Sequence, residues 1–207
     1  MIDAFIHVIL GMAVSFAGSL PPGVISLTVM DAAVRKSLRD SIYVAVAVSA
    51  VEFFQSYIAI LFSKALMKNE TVDLFIQYGA APVFLLVGAL FLFRQKISPR
   101  NENVQTYASK NVAKGFMVGV LNVFVIPFWI FWSSYFAGNN WIRLEYTSIA
   151  IFSAGVTAGT FLALMLYAWL GLRMSTRASV MAFWGNKTLG LIFIAFGIYQ
   201  AVKLIRA

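Results

Sequence analysis

Apolar residues run through this chain in six long blocks separated by short polar stretches. The blocks cover about residues 4–32, 41–63, 73–93, 114–136, 146–171 and 186–205. Each reaches the roughly 20 residues that an α-helix needs to cross the hydrocarbon core of a bilayer. An open sheet cannot satisfy its edges there, so the pattern predicts six transmembrane helices in an all-α integral membrane protein. The longest polar stretch, about 94–113, divides this single transmembrane domain, 1–207, into two sets of three spans. The first set is 1–93 and the second 114–207.

Both sets open with a block that proline interrupts. Residues 18–26 read "GSLPPGVIS", with Pro21, Pro22 and Gly23 inside an otherwise apolar run. The fourth block contains "GVLNVFVIPFW", with Asn122 and Pro127. Matching breaks in corresponding spans are the mark of inverted-repeat carriers, and an odd number of spans per repeat makes the halves antiparallel. A helix that stops near Leu20 leaves carbonyls unpaired, and one that restarts near Gly23 leaves the Val24, Ile25 and Ser26 amides free. A restarted N-terminus carries a partial positive charge and suits a carboxylate. The alternative is a proline kink that only aids packing. The echo in the fourth block favours a binding role. The Asn122 amide is placed either to satisfy the freed carbonyls or to touch a substrate.

Composition agrees with the pattern. The chain is 61% hydrophobic and 12% charged, against roughly 25% charged in a soluble domain. It has no cysteine and one histidine, His7. That excludes disulfides, thiol redox relays and metal sites built on cysteines or several histidines, so neither a metal nor a cofactor is expected. The net charge is +8. The basic residues lie mostly between the blocks, where topology and anionic headgroups account for them and nucleic acid does not. Arg35, Lys36, Arg39, Arg94, Lys96, Arg100, Lys110, Lys114, Arg173, Arg177 and Lys187 fall on one face, and Lys64, Lys68, Arg143, Lys203 and Arg206 on the other. Positive residues collect inside, so both termini are expected to face outward. The first Lys or Arg is Arg35, and Asp3 is acidic; the first block therefore reads as a retained span rather than a signal peptide.

Glu52 lies well inside the second block, with Ser49 one turn before it and Gln55 one turn after. An ionisable residue at mid-span costs on the order of 2.5–3.5 kcal/mol on insertion scales, so it faces a cavity or a partner. Its carboxyl suits an ammonium group or a cycling proton; the alternative is a protonated Glu bonded to a neighbouring helix. Asp31 is placed to pair with Arg35. Arg35, Lys36 and Arg39 read as topology determinants, His7 as interfacial, Tyr167 and Trp169 as belt aromatics, and Lys187 as a snorkelling cation. Gly155 and Gly159 form Gly-x-x-x-Gly, which favours close helix contact. That spacing leaves a homodimer open, with packing inside the chain the stronger reading. Intramembrane hydrolysis needs a Ser–His pair, paired acids or metal ligands. One peripheral His and one deep acid do not supply them, so an enzyme is not expected.

Together these features resemble the lysine exporter (LysE-type) family of amino-acid efflux carriers. Pro21-Pro22-Gly23 is similar to the family's Pro-Gly-Pro, Arg35 to Asp40 to its basic loop, and Glu52 to its second-span acid. Asn122 and Pro127 resemble its second motif, and "GNKTLGLIFIAFGIYQAVKL" its last span. Here Val24 stands where the family has a polar Asn, Asn122 and Pro127 are separated, and the acid is Glu rather than Asp. The resemblance implies export of an amino acid or related small metabolite across the plasma membrane, driven by the proton gradient. The expected substrate-binding set is Pro21, Pro22, Gly23, Val24, Ser26, Glu52, Gln55, Asn122 and Pro127, with Glu52 also coupling protons. The rival reading is a channel or scaffold without a transport cycle.

Overall fold

The computed structural model describes residues 2–66, 108–122 and 124–173, with scattered positions within 82–93 and 187–202. All regular structure among the described residues is helical. Among the described residues the helices with continuous bounds are α1 (Ile2–Ser19), α2 (Val24–Arg35), α3 (Leu38–Leu66), α4 (Ala108–Val120), α5 (Val125–Gly138) and α6 (Tyr146–Arg173). α3 and α6 are each long and apolar enough to cross a membrane. α1 with α2, and α4 with α5, also pass that test as pairs, bent by 77° and 60° at their breaks. The described helices thus give two spans outright and up to four when each bent pair counts as one. The third and sixth apolar blocks lie outside the described residues apart from the scattered positions, as does most of the 94–113 linker.

Local chemistry sets the breaks. Pro21 and Pro22 have no N–H to give and crowd the preceding turn, so α1 closes at Ser19 with the Leu20 N–H donating to the Ala17 carbonyl. α2 opens on Gly23, whose N–H donates to Ser26 Oγ at 2.7 Å. In the second pair the break runs from Leu121 to Phe124, with the Asn122 N–H donating to the Gly119 carbonyl and the Val125 N–H to the Asn122 carbonyl. Pro127 is not in this break. It stands in the first turn of α5, where a missing N–H leaves no helical bond unmade. α4 also begins at Ala108, inside the polar stretch read as a loop from sequence.

Helix direction organises the rest. α1 runs parallel to α6: Val8 meets Gly155, Met12 meets Gly159, and Ser15 meets Thr160. Gly11 faces the Phe152 carbonyl, so the two backbones touch along a glycine seam. The Gly155–Gly159 face is therefore occupied by α1 of the same chain. α4 runs parallel to α3 in the same manner, with Gly115 against Val44 and Gly119 against Val48 and Val51. α3 and α6 cross antiparallel. Val44 and Val48 share one apolar cluster with Leu164 and Ala168, and Ala59 and Ile60 share another with Phe152 and Val156. Each bent pair thus lies along the long helix of the other half. The described positions of the third and sixth blocks also meet: Gly88 lies against Gly190 and Ile194, and Gly197 against Leu85.

Candidate functional site

Glu52 stands where α3 crosses α6, between the two apolar clusters. Its Oε2 accepts the Thr160 hydroxyl at 2.6 Å. Thr160 Oγ1 is in turn 2.6 Å from Ser15 Oγ on α1. When Glu52 is ionised the Thr160 proton goes to the carboxylate, and Ser15 is then the donor in the second bond. Glu52 Oε1 has no hydrogen-bond partner among the described residues. Trp129 on α5 is fully buried, and its indole N–H lies close to the Glu52 carboxyl without closing a hydrogen bond. Ser49 Oγ, one turn before Glu52, is also buried without a partner among the described residues.

The two breaks flank this carboxyl and meet each other. A Cβ placed on Gly18, just before the first break, would lie 2.8 Å from the end of the Phe128 ring in the first turn of α5. Ile25, in the first turn of α2, packs on the cluster that contains Val48 and Leu164, each one turn from the Glu52–Thr160 contact. On the other side, Val125 and Trp129 of α5 join the cluster of Ala59, Ile60 and Val156. The start of α5 thus lies one turn from Trp129, which faces the Glu52 carboxyl.

Each break also has one carbonyl that accepts a hydrogen bond from a side chain of the other half. Tyr167 Oη on α6 donates to the Leu20 carbonyl. Gln55 Nε2 on α3 donates to the Gly119 carbonyl at 3.2 Å. One carbonyl at each break is thus bonded from inside the protein, where hydrocarbon offers no partner. At the start of α2, Ser26 is buried and its hydroxyl is turned back onto Gly23, accepting the N–H and contacting the carbonyl at 3.2 Å. The Val24, Ile25 and Ser26 amides have no partner among the described residues. Gly23 has φ −117°, which any residue adopts, and a Cβ there would meet nothing within 4 Å. Neither strain nor packing requires this glycine.

Of the residues expected from sequence to line a site, Glu52 lies at the α3–α6 crossing, Pro21, Pro22, Gly23, Val24 and Ser26 lie at the first break and the first turn of α2, and Gln55 reaches the second break. Asn122 sits half-buried in the second break, with its backbone N–H and carbonyl both used in turns. Gln55 acts there as a carbonyl cap. Thr160, Ser15, Trp129 and Tyr167 were not among the expected site residues. Tyr167 was read as a belt aromatic, yet it is buried and bonded to the break; Trp169 is exposed, with Arg173 over its ring, and fits the belt. His7, read as interfacial, is 3% accessible. Its Nδ1–H donates to the Asp3 carbonyl at 2.6 Å and its Nε2 accepts the Arg143 N–H at 2.9 Å, tying the α5–α6 turn to α1.

The basic loop is likewise more than a topology signal. Asp31 pairs with Arg35 as expected. Lys36 Nζ, however, donates to Oδ1 of Asn111 at 3.0 Å, and Asn111 Nδ2 donates to Asp40. Asn111 is 1% exposed. Ser37 caps α3, accepting the Asp40 N–H at 3.1 Å and donating to the Asp40 carboxylate at 2.6 Å. The first turn of α4 is thus pinned to the α2–α3 turn across the two halves.

Among known proteins, a family model described as LysE type translocator matches residues 16–204. The match takes in both breaks, Glu52 and Thr160. No curated protein and no solved structure matches the chain.

Proposed function

The chain belongs to the LysE type translocator family, and on that premise we propose that it is a secondary carrier. It exports an amino acid or a related small metabolite across the plasma membrane, with Glu52 coupling the movement to protons. Family membership and the apolar helices make it a multi-pass membrane protein.

The observation that carries this reading is the position of Glu52. A carboxyl sits at the crossing of two long helices, between two broken ones, with one oxygen held by Thr160. Carriers built from repeats bind near such paired breaks, close to the bilayer midplane. In this reading the α2 amides from Val24 to Ser26 receive a substrate carboxylate. Pro21, Pro22 and Gly23 hold that turn open, and the Glu52 Oε1 takes an ammonium or a proton. Asn122 and Pro127 shape the matching start of α5, and Gln55 bridges it to α3.

The architecture that goes with it is six spans in two inverted repeats, 1–93 and 114–207, joined by a cytoplasmic linker at 94–113. Two relations support it. α1 lies parallel to α6 as α4 lies parallel to α3, and α3 crosses α6 antiparallel. An exchange of the two halves reproduces these pairings. Both termini then face outward, and rocking of one half against the other alternates access to Glu52.

The test begins with a strain lacking this chain and its complemented counterpart, compared for amino acids in the medium. The compound so identified is loaded into proteoliposomes. Wild-type protein is expected to release it under an imposed pH gradient, and Glu52→Gln to lose that dependence. Unchanged flux and unchanged pH dependence in Glu52→Gln would remove the coupling role.

A further inference from the structure

We infer that Thr160, fed by Ser15, is the positioning residue for Glu52 and ties the charge state of that carboxyl to the second half of the protein. The inference rests on the reading of Glu52 as a proton-coupling group and adds the residues through which the coupling would act.

The geometry is a directed chain. Ser15 donates to Thr160 and Thr160 donates to Glu52 Oε2, each at 2.6 Å. With the carboxyl ionised both protons point toward it, an arrangement that needs an acceptor at its end. The three residues come from three helices. Ser15 and Glu52 belong to the first half, and Thr160 to the second.

Burial makes the chain sensitive. Ser15 and Thr160 are each 2% exposed. Thr160 follows Gly159, where the α1 and α6 backbones touch. The groups facing Glu52 from the packed helices are Thr160 on α6 and Trp129 on α5, with Ser15 on α1 behind Thr160. Among the described residues no charged side chain pairs with Glu52. Tyr167, the titratable group of α6 that points inward, is bonded to the Leu20 carbonyl.

A proton arriving on Glu52 changes what Thr160 must do. If it lands on Oε2, the carboxyl becomes the donor, Thr160 accepts, and the Thr160 proton turns toward Ser15. Ser15 in turn can donate to a carbonyl one turn back on α1, a bond open to serines in helices. No covalent bond other than the O–H of the carboxyl is made or broken. The contact between α1 and α6 is reset at the end of its glycine seam. A hydroxyl is needed at position 160 for this, whereas the shape of the side chain is not.

Dicyclohexylcarbodiimide provides a test that needs no substrate, because it adds to protonated carboxyls in apolar surroundings. The full-length protein in proteoliposomes is treated across a pH series, and the adduct on the Glu52 peptide is read by mass spectrometry. Thr160→Val keeps the shape and removes the donor, and is expected to raise labelling several-fold at neutral pH. Thr160→Ser is expected to restore the wild-type level, and Ser15→Ala to raise labelling by less than Thr160→Val. Ser15→Ala and Thr160→Ser carry the test should Thr160→Val fail to fold. Wild-type labelling in both Thr160→Val and Ser15→Ala, or failure of Thr160→Ser to restore it, overturns the inference. Labelling is independent of flux. A hydroxyl-dependent adduct in a protein that moves no substrate would sink the carrier reading and leave the Thr160–Glu52 link standing.

Discussion

Tyr167 and Leu20 are 147 residues apart in sequence, and the Tyr167 hydroxyl donates to the Leu20 carbonyl at the point where the first helix breaks. Gln55 does the same for Gly119 at the second break. Each half of the protein therefore holds a hydrogen-bond donor that the other half needs.

These caps can be removed singly. Tyr167→Phe leaves the Leu20 carbonyl without its side-chain donor, a loss of about 1–3 kcal/mol; Gln55→Leu leaves the Gly119 carbonyl with the Asn122 N–H alone and is expected to cost less, about 0.5–1.5 kcal/mol. Both variants are expected to unfold at lower denaturant in mild detergent than the wild type. The double variant should lose roughly the sum, because the two carbonyls belong to separate breaks. Equilibrium unfolding followed by tryptophan fluorescence measures this. Wild-type stability in both single variants would show that the caps contribute nothing.

Two glycines separate packing from function. Gly159 lies so close to the Met12 carbonyl that any Cβ must push α1 off α6. Gly159→Ala is expected to cost about 1–3 kcal/mol as an overpacked contact and to lower the yield of folded protein. Gly23→Ala meets open space at an ordinary φ and is expected to fold as the wild type does. If Gly23 serves close approach of a ligand to the backbone, Gly23→Ala loses export while its melting curve stays in place. Thermal melting in detergent beside an export assay separates the two cases.

Asn111 offers the third handle. Its amide is shared between Lys36 and Asp40, so Asn111→Ala removes the two hydrogen bonds that join α4 to the α2–α3 turn. In an alternating-access carrier this variant shifts the population toward the state in which that end is open. The chain has no cysteine, so Ser26→Cys alone reports access to the start of α2. In inside-out vesicles an impermeant thiol reagent is expected to label Ser26→Cys faster when combined with Asn111→Ala. Equal rates would show that the Asn111 bridge does not guard this path.

Much of the fold was legible because its causes are local. An apolar run of the right length is a span wherever it packs, and Pro21-Pro22-Gly23 stops a helix whatever surrounds it. Glu52 stood out for the same reason, since the cost of a mid-span acid is paid at one position. Pro127 misled in a small way. It marks a broken span correctly, yet it sits in the resumed helix, because proline is tolerated in a first turn. The start of α4 at Ala108 was hidden because hydropathy reads polarity as loop, while Asn111 is satisfied from across the chain.

What the sequence determined alone was the periodic and local part: apolar helices, two breaks, a deep acid and a family likeness. The tertiary structure decided the partners. It made Thr160 the donor to Glu52, turned Tyr167 and Gln55 into caps, buried His7 as a clamp, and gave the Gly155–Gly159 face to α1. Hydroxyls and glycines are common in membrane helices, and nothing in a residue type says which neighbour it will meet. That follows from the direction and crossing of helices far apart in the chain, and an unpaired polar group in an apolar interior costs enough to fix the match once they cross.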